Sequence, residues 1–120
     1  MIFKESRPIY LQIADRICDE IQQQVYQEDE RIPSVREYAS MVEVNANTVM
    51  RSFDYLQQTE IIYNKRGVGY FVAPTARKRI MQLRKELLFK EDLPEFVGKM
   101  KALGISVQEV TEAIELLVKD

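Results

Sequence analysis

At 120 residues the chain has room for one domain with a real core, or a small domain with a helical appendage, and its 46% hydrophobic and 30% charged residues argue against disorder. One cysteine, Cys18, and no histidine exclude an intramolecular disulfide, a His-containing zinc site and an imidazole general base. With no Gly-rich phosphate loop either, an enzyme, a metal site and a cofactor are all disfavoured.

The opening "MIFKESRPIY" is charged where a signal peptide needs an apolar run. No window approaches the roughly 20 apolar residues that span a bilayer, so a soluble cytoplasmic protein without a membrane partner is expected. In "RPIYLQIADRICDEIQQQVYQ", Ile9, Ile13, Ile17 and Ile21 stand four apart, with Ala14, Cys18 and Val25 in the same stripe. That spacing predicts an amphipathic helix, with Pro8 tolerated in its first turn. The acidic "QEDER" ends it without Gly or Pro.

In "IPSVREYASMVEV", Ser34 and Glu37 have the S-x-x-E spacing of a capping box. A short helix from Ser34 is predicted, with Val35, Tyr38, Ala39 and Val42 inward and Arg36, Glu37 and Ser40 outward. Asn45 then caps a helix from about Ala46 to Gln58, whose inward stripe is Val49, Phe53 and Leu56. A short helix, a tight turn and a longer helix with a polar front is the pattern of a helix-turn-helix, though two packed core helices share the spacing.

Next, "EIIYNKRGVGYFVAP" holds two β-rich runs, Ile61 to Tyr63 and Tyr70 to Val72, joined by "NKRGVG" with glycines suited to a hairpin turn. Helix-turn-helix followed at once by a hairpin predicts a winged helix. Beyond Pro74, helical spacing returns. "TARKRIMQLRKELLFKED" places Ile80, Leu83, Leu87 and Leu88 together, and "LPEFVGKMKALG" does so for Leu93, Phe96, Val97, Met100 and Leu103 before Gly104. "SVQEVTEAIELLVKD" repeats the capping box at Ser106 and Glu109 and lines up Val107, Val110, Ile114 and Leu117.

The expected fold is mainly α with a small β-hairpin: a winged helix-turn-helix over residues 1–75, then a short C-terminal helical dimerisation region over 76–120. Three short helices are too small for an effector domain, and their apolar stripes need covering. A second copy is the simplest cover, and folding back on the first domain is the alternative. A small-molecule effector would need a pocket formed at the dimer interface.

A helix entering the major groove needs base-reading and phosphate-binding side chains on its first turn and outward face. Here that face is Asn45, Asn47, Thr48, Met50 and Arg51. Asn suits the N6/N7 edge of adenine, Arg suits guanine O6/N7 or phosphate, and a Thr methyl suits thymine. Asn45 reads better as the cap, Asn47 and Arg51 as contacts. Arg36 lies in a first turn whose free amides after Ser34 favour an anion. Lys65 and Arg66, with Gly67 and Gly69, form a basic hairpin tip able to approach the minor groove or its phosphates.

Charge opposes this reading. Met1 to Thr75 carries 8 Lys and Arg against 11 Asp and Glu, a net charge of −3, and the isoelectric point is near 5.3. Strong non-specific DNA binding is not expected. Site-specific binding requires Arg36, Arg51, Lys65, Arg66 and the run Arg77, Lys78, Arg79 to share a face, with the acids of "QEDE" elsewhere. The alternative is a winged helix used for protein-protein contact without DNA.

Three blocks resemble the winged helix of the GntR family of bacterial transcription regulators: Pro33-Ser34-x-Arg36-Glu37-x-Ala39, Val44-Asn45-x-Asn47-Thr48-Val49-x-Arg51 and Arg66-Gly67-x-Gly69-x-Phe71-Val72. The short helical tail, and the Asn-x-Asn-Thr-Val form, are similar to the YtrA subfamily. The resemblance implies a homodimeric repressor on a near-palindromic double-stranded DNA operator. By position it makes Arg36, Asn47, Thr48, Arg51 and Gly67 DNA contacts, with Ser34 and Asn45 setting helix starts and touching phosphate. Ala46 stands where arginine or proline is frequent in the family, and Met50 where a basic residue is frequent, so no operator sequence carries over.

Overall fold

The computed structural model describes Arg7 to Lys119, so the first six residues of the charged opening lie outside the described residues. Helix α1 (Ile9–Gln22) starts behind Pro8, whose carbonyl accepts from the amides of Leu11 and Gln12. Ile13, Ile17 and Ile21 are buried with Ala14 and Cys18, as their spacing requires. The stripe is shorter than expected. Val25 is exposed because the chain has already turned away at Gln24, where φ is +62°, and Ile9 is exposed at the opening turn.

Helix α2 (Val35–Val42) is started by the predicted capping box. Ser34 Oγ accepts from the Glu37 amide (3.1 Å), and the Glu37 carboxylate accepts from the Ser34 amide (3.0 Å). Glu43, at φ +55°, ends it, and α3 (Ala46–Gln58) begins three residues later. Val49, Phe53 and Leu56 are buried as expected. Phe53 fixes α3 twice: its ring lies 6.3 Å from that of Tyr38 on α2 and meets Tyr70 of the hairpin edge-on at 4.9 Å.

Strands β1 (Ile62–Lys65) and β2 (Gly69–Val72) pair antiparallel, with Ile62 opposite Val72 and Lys65 opposite Gly69. Both reach further toward the tip than expected. The turn needs only Arg66, Gly67 and Val68, because Gly67 takes φ +79° and the Val68 amide closes onto the Lys65 carbonyl. The segment from Asp29 to Ile32 also pairs with β2. Asp29 N–H donates to the Val72 carbonyl, Val72 N–H to the Glu30 carbonyl, and Ile32 N–H to the Tyr70 carbonyl. "QEDER" is thus an edge partner of the wing and not the end of α1, which has already stopped at Gln22.

Helix α4 (Ala76–Leu87) begins with Ala76 and Ile80 buried. The chain forms two compact units, dividing at Gln82 and Leu83. The first turns of α4 therefore go with the winged helix, past the expected division after Thr75.

In the second unit, α4 runs through a five-residue π-helical turn (Leu88–Asp92) into α5 (Leu93–Leu103), and α6 (Val107–Val118) follows. The first two of the three expected short helices are therefore continuous. Asp92 and Leu93 keep right-handed helical angles, and the wider turn accommodates a proline that in a regular helix would remove a hydrogen bond. Gly104 (φ +67°) ends α5, and the Ser106–Glu109 capping box starts α6, both as predicted. Leu103, Val107, Leu116, Leu117 and Val118 are each 73% to 79% exposed.

Candidate nucleic-acid interface

The N-terminal turn of α2 presents Arg36, exposed, one residue past the first helical position. The Ser34 backbone N–H, and then its hydroxyl, hold the Glu37 carboxyl below the usual range for a glutamic acid, with the Arg31 charge adding to the effect. Glu37 thereby stays ionised and keeps the cap intact, and its charge offsets part of the positive end of the helix.

At the start of α3, Asn45 Oδ1 accepts from the Asn47 amide at 2.8 Å, which makes Asn45 the helix cap. Asn47 is exposed and Thr48 half-buried. Arg51 is exposed, with its guanidinium carbon 4.1 Å from the centre of the Tyr10 ring on α1. Asp54 and Gln58 continue this face one and two turns on, beyond the first-turn residues singled out in the sequence. The 3.6-residue period alone places them there.

In the wing, Lys65 is the last residue of β1, its Nζ 4.9 Å from the Phe71 ring centre, and Arg66 opens the turn. Arg31, missed in the sequence, belongs to this group. A Cβ on Gly69 would lie 2.8 Å from Arg31 Nε, so the arginine crosses the strand where a side chain is missing. Arg31 stands three residues before Ser34, the cap of α2, and its charge adds weakly to the lowering at Glu37. Its signal was its place just before Ile32-Pro33-Ser34, visible only once the segment is known to pair with β2.

The run Arg77-Lys78-Arg79 does not act as one basic patch. Arg79 Nε donates to the Thr59 carbonyl at 3.1 Å, closing the C-terminal end of α3, and only Arg77 and Lys78 are exposed. The acids of "QEDE" pair at the base of the wing, at the Val72 end away from the tip, and Asp29 accepts a hydrogen bond from Tyr63 there. Among the described residues no group of His, Cys, Asp and Glu side chains could hold a metal, and no helix is long and apolar enough to cross a membrane.

A capped short helix, a second helix with amide and guanidinium groups turned outward, and a hairpin with cations at its tip define the winged-helix class of DNA-binding regulators. Comparison with known proteins narrows this. Residues 9–72 match the model for "Bacterial regulatory proteins, gntR family", and the chain belongs to that family.

Among its relatives are the uncharacterized HTH-type transcriptional regulator YhcF of Bacillus subtilis, 38% identical over 94% of this chain and 92% of that one, and the HTH-type transcriptional repressor YtrA of the same organism, 26% identical over 98% and 89%. A crystal structure of a GntR-family regulator from Bacteroides thetaiotaomicron is 53% identical, with a TM-score of 0.79, over 93% of this chain and 97% of that one. The DNA-binding domain of AraR in complex with operator ORX1 is 26% identical, with a TM-score of 0.54, over 60% of this chain and 93% of its own. The family and these relatives are transcriptional regulators, and the fold is the mainly helical winged helix with a two-stranded hairpin that the sequence predicted.

Proposed function

We propose that this chain is a homodimeric repressor that binds a near-palindromic DNA operator in the cytoplasm. The carrying observation is Arg31: it lies against Gly69 near the wing tip and three residues before the Ser34 cap of α2, which supports a reading in which the cations of both flank one surface. On that surface Arg31, Arg36, Lys65 and Arg66 take phosphates, with Gly67 allowing close backbone approach. Ser34 and Asn45 fix the helix starts beside the phosphates, and Asn47, Thr48 and Arg51 face base edges.

The repressor role is supported by the relative YtrA, which is described as a repressor. Dimerisation through the C-terminal helices is supported by the apolar side chains they leave exposed, and two recognition helices would then reach major grooves roughly 34 Å apart. An effector would bind where the exposed apolar face of Leu88, Phe89, Leu93 and Phe96, carried on one continuous helix, is completed by the partner copy.

The test is fluorescence anisotropy on the DNA upstream of the protein's own gene, against scrambled DNA of equal length, at several salt concentrations. Tight binding to the upstream fragment alone is the expected result, with the salt slope counting the phosphate contacts. Equal weak binding to both, together with no sequence selected from a random pool, would refute it and favour protein-protein docking.

A further inference from the structure

We propose that Tyr10 is a positioning residue for DNA reading, a platform on α1 that holds the Arg51 guanidinium ready before DNA arrives. The inference rests on the assignment of α3 to the major groove. Arg51 lies over the Tyr10 ring at 4.1 Å, and among the described residues it makes no hydrogen bond or ion pair, not even with Asp54 one turn on. A stacked guanidinium keeps its N–H donors at its edge, free for a bidentate partner such as guanine O6/N7.

The platform is itself fixed. The Tyr10 carbonyl accepts from Ser52 Oγ at 2.6 Å, and Ser52, fully buried, is the residue next to Arg51. The register of α1 on α3 is therefore set beside the side chain that the ring supports. On an exposed helix a free arginine samples many rotamers, and fixing one on binding lowers affinity. The cation-π contact with Tyr10 removes much of that freedom beforehand. Discrimination at one base pair should then depend on a residue that need not touch DNA.

The full-length chain is compared with Tyr10→Leu and Tyr10→Phe, each with and without Arg51→Ala. The probe is the tightest duplex selected from a random-sequence pool, along with its single-base-pair variants. Relaxation of the Arg51 Nε–H signal is measured without DNA, and thermal melting checks the fold.

In Tyr10→Leu we expect a more mobile Arg51 Nε–H, about two- to five-fold weaker binding and relaxed discrimination at one position. Tyr10→Phe, which keeps the ring, should behave as wild type. Tyr10→Leu should have no further effect once Arg51 is alanine. An unchanged Arg51 signal in Tyr10→Leu overturns the inference whatever the DNA result. So does an equal loss of affinity with and without Arg51, which would mark a merely structural role. A wild-type chain that selects no duplex instead overturns the DNA reading beneath it.

Discussion

Replacing Gly69 by alanine separates two demands that the wing makes on one residue. Its φ of +144° is a conformation that side-chain-bearing residues rarely adopt, at a cost of about 1–3 kcal/mol. The new Cβ would also stand 2.8 Å from Arg31 Nε, so the arginine must leave its place on the strand. Gly67 is the internal control. It has φ +79°, but a Cβ there would meet no atom within 4 Å, so Gly67→Ala should cost only the left-handed penalty of about 1–2 kcal/mol.

Urea or thermal unfolding of the full chain measures both, with about 4–8 °C expected per kcal/mol for a unit of this size. Arg31→Ala should recover the steric part of the Gly69→Ala loss and none of the Gly67→Ala loss. On DNA, Gly69→Ala and Arg31→Ala should each lower the salt slope by about one phosphate. A Gly69→Ala protein as stable as wild type, with an unchanged salt slope, would refute the placement of Arg31 on the wing.

Ser52→Ala removes the hydroxyl that joins α3 to the Tyr10 carbonyl, and should cost about 0.5–1.5 kcal/mol in urea denaturation. Because the folded-state pKa of Glu37 is depressed, its stabilisation is complete above the ordinary glutamate value near 4.3 and is lost as pH falls through the depressed value. Amide protection at the start of α2, taken relative to intrinsic exchange at each pH, should fall in that window, and Glu37→Gln should remove this pH dependence. Tyr38 has its pKa raised, first by burial and then by its hydrogen bond to Glu20. The unfolded chain gives up this proton near pH 10 while the folded chain keeps it, so stability should fall above that pH, and Tyr38→Phe should flatten the alkaline limb of a melting-temperature profile. A chain ending at Gln82 should be monomeric by light scattering where the full chain is dimeric.

The elements that could be read from sequence were those whose signals are local. Ser34 and Glu37 lie three residues apart, and the isoleucines of α1 repeat every four, so chain spacing alone determines the contact. What escaped was non-local. The pairing of Asp29 to Ile32 with β2 joins residues some forty positions apart, through backbone groups that any sequence possesses, and its acidic side chains argue against a strand. Arg79 was misread for the same reason: its partner is a carbonyl twenty residues back, and charge alone cannot tell an exposed arginine from one closing a helix end. The Tyr10–Arg51 stack is a third case, since the identity of either residue does not announce the other.

These non-local contacts also address the objection from charge. Arg79 is held by a backbone carbonyl, while the acids of residues 28–30 sit at the foot of the wing. Arg31 and Arg66 are left near the tip, and Arg36 at the start of α2. Through Gln82 the unit carries 11 Lys and Arg against 11 Asp and Glu, and a neutral unit whose cations share one surface, as proposed, would attract DNA in one orientation and little in others, which suppresses non-specific binding more than specific binding. For such a protein, discrimination rests on a small number of well-placed donors rather than on total charge. Prior ordering of Arg51 by Tyr10 then matters more than it would in a strongly basic protein, whose affinity comes mainly from released counterions.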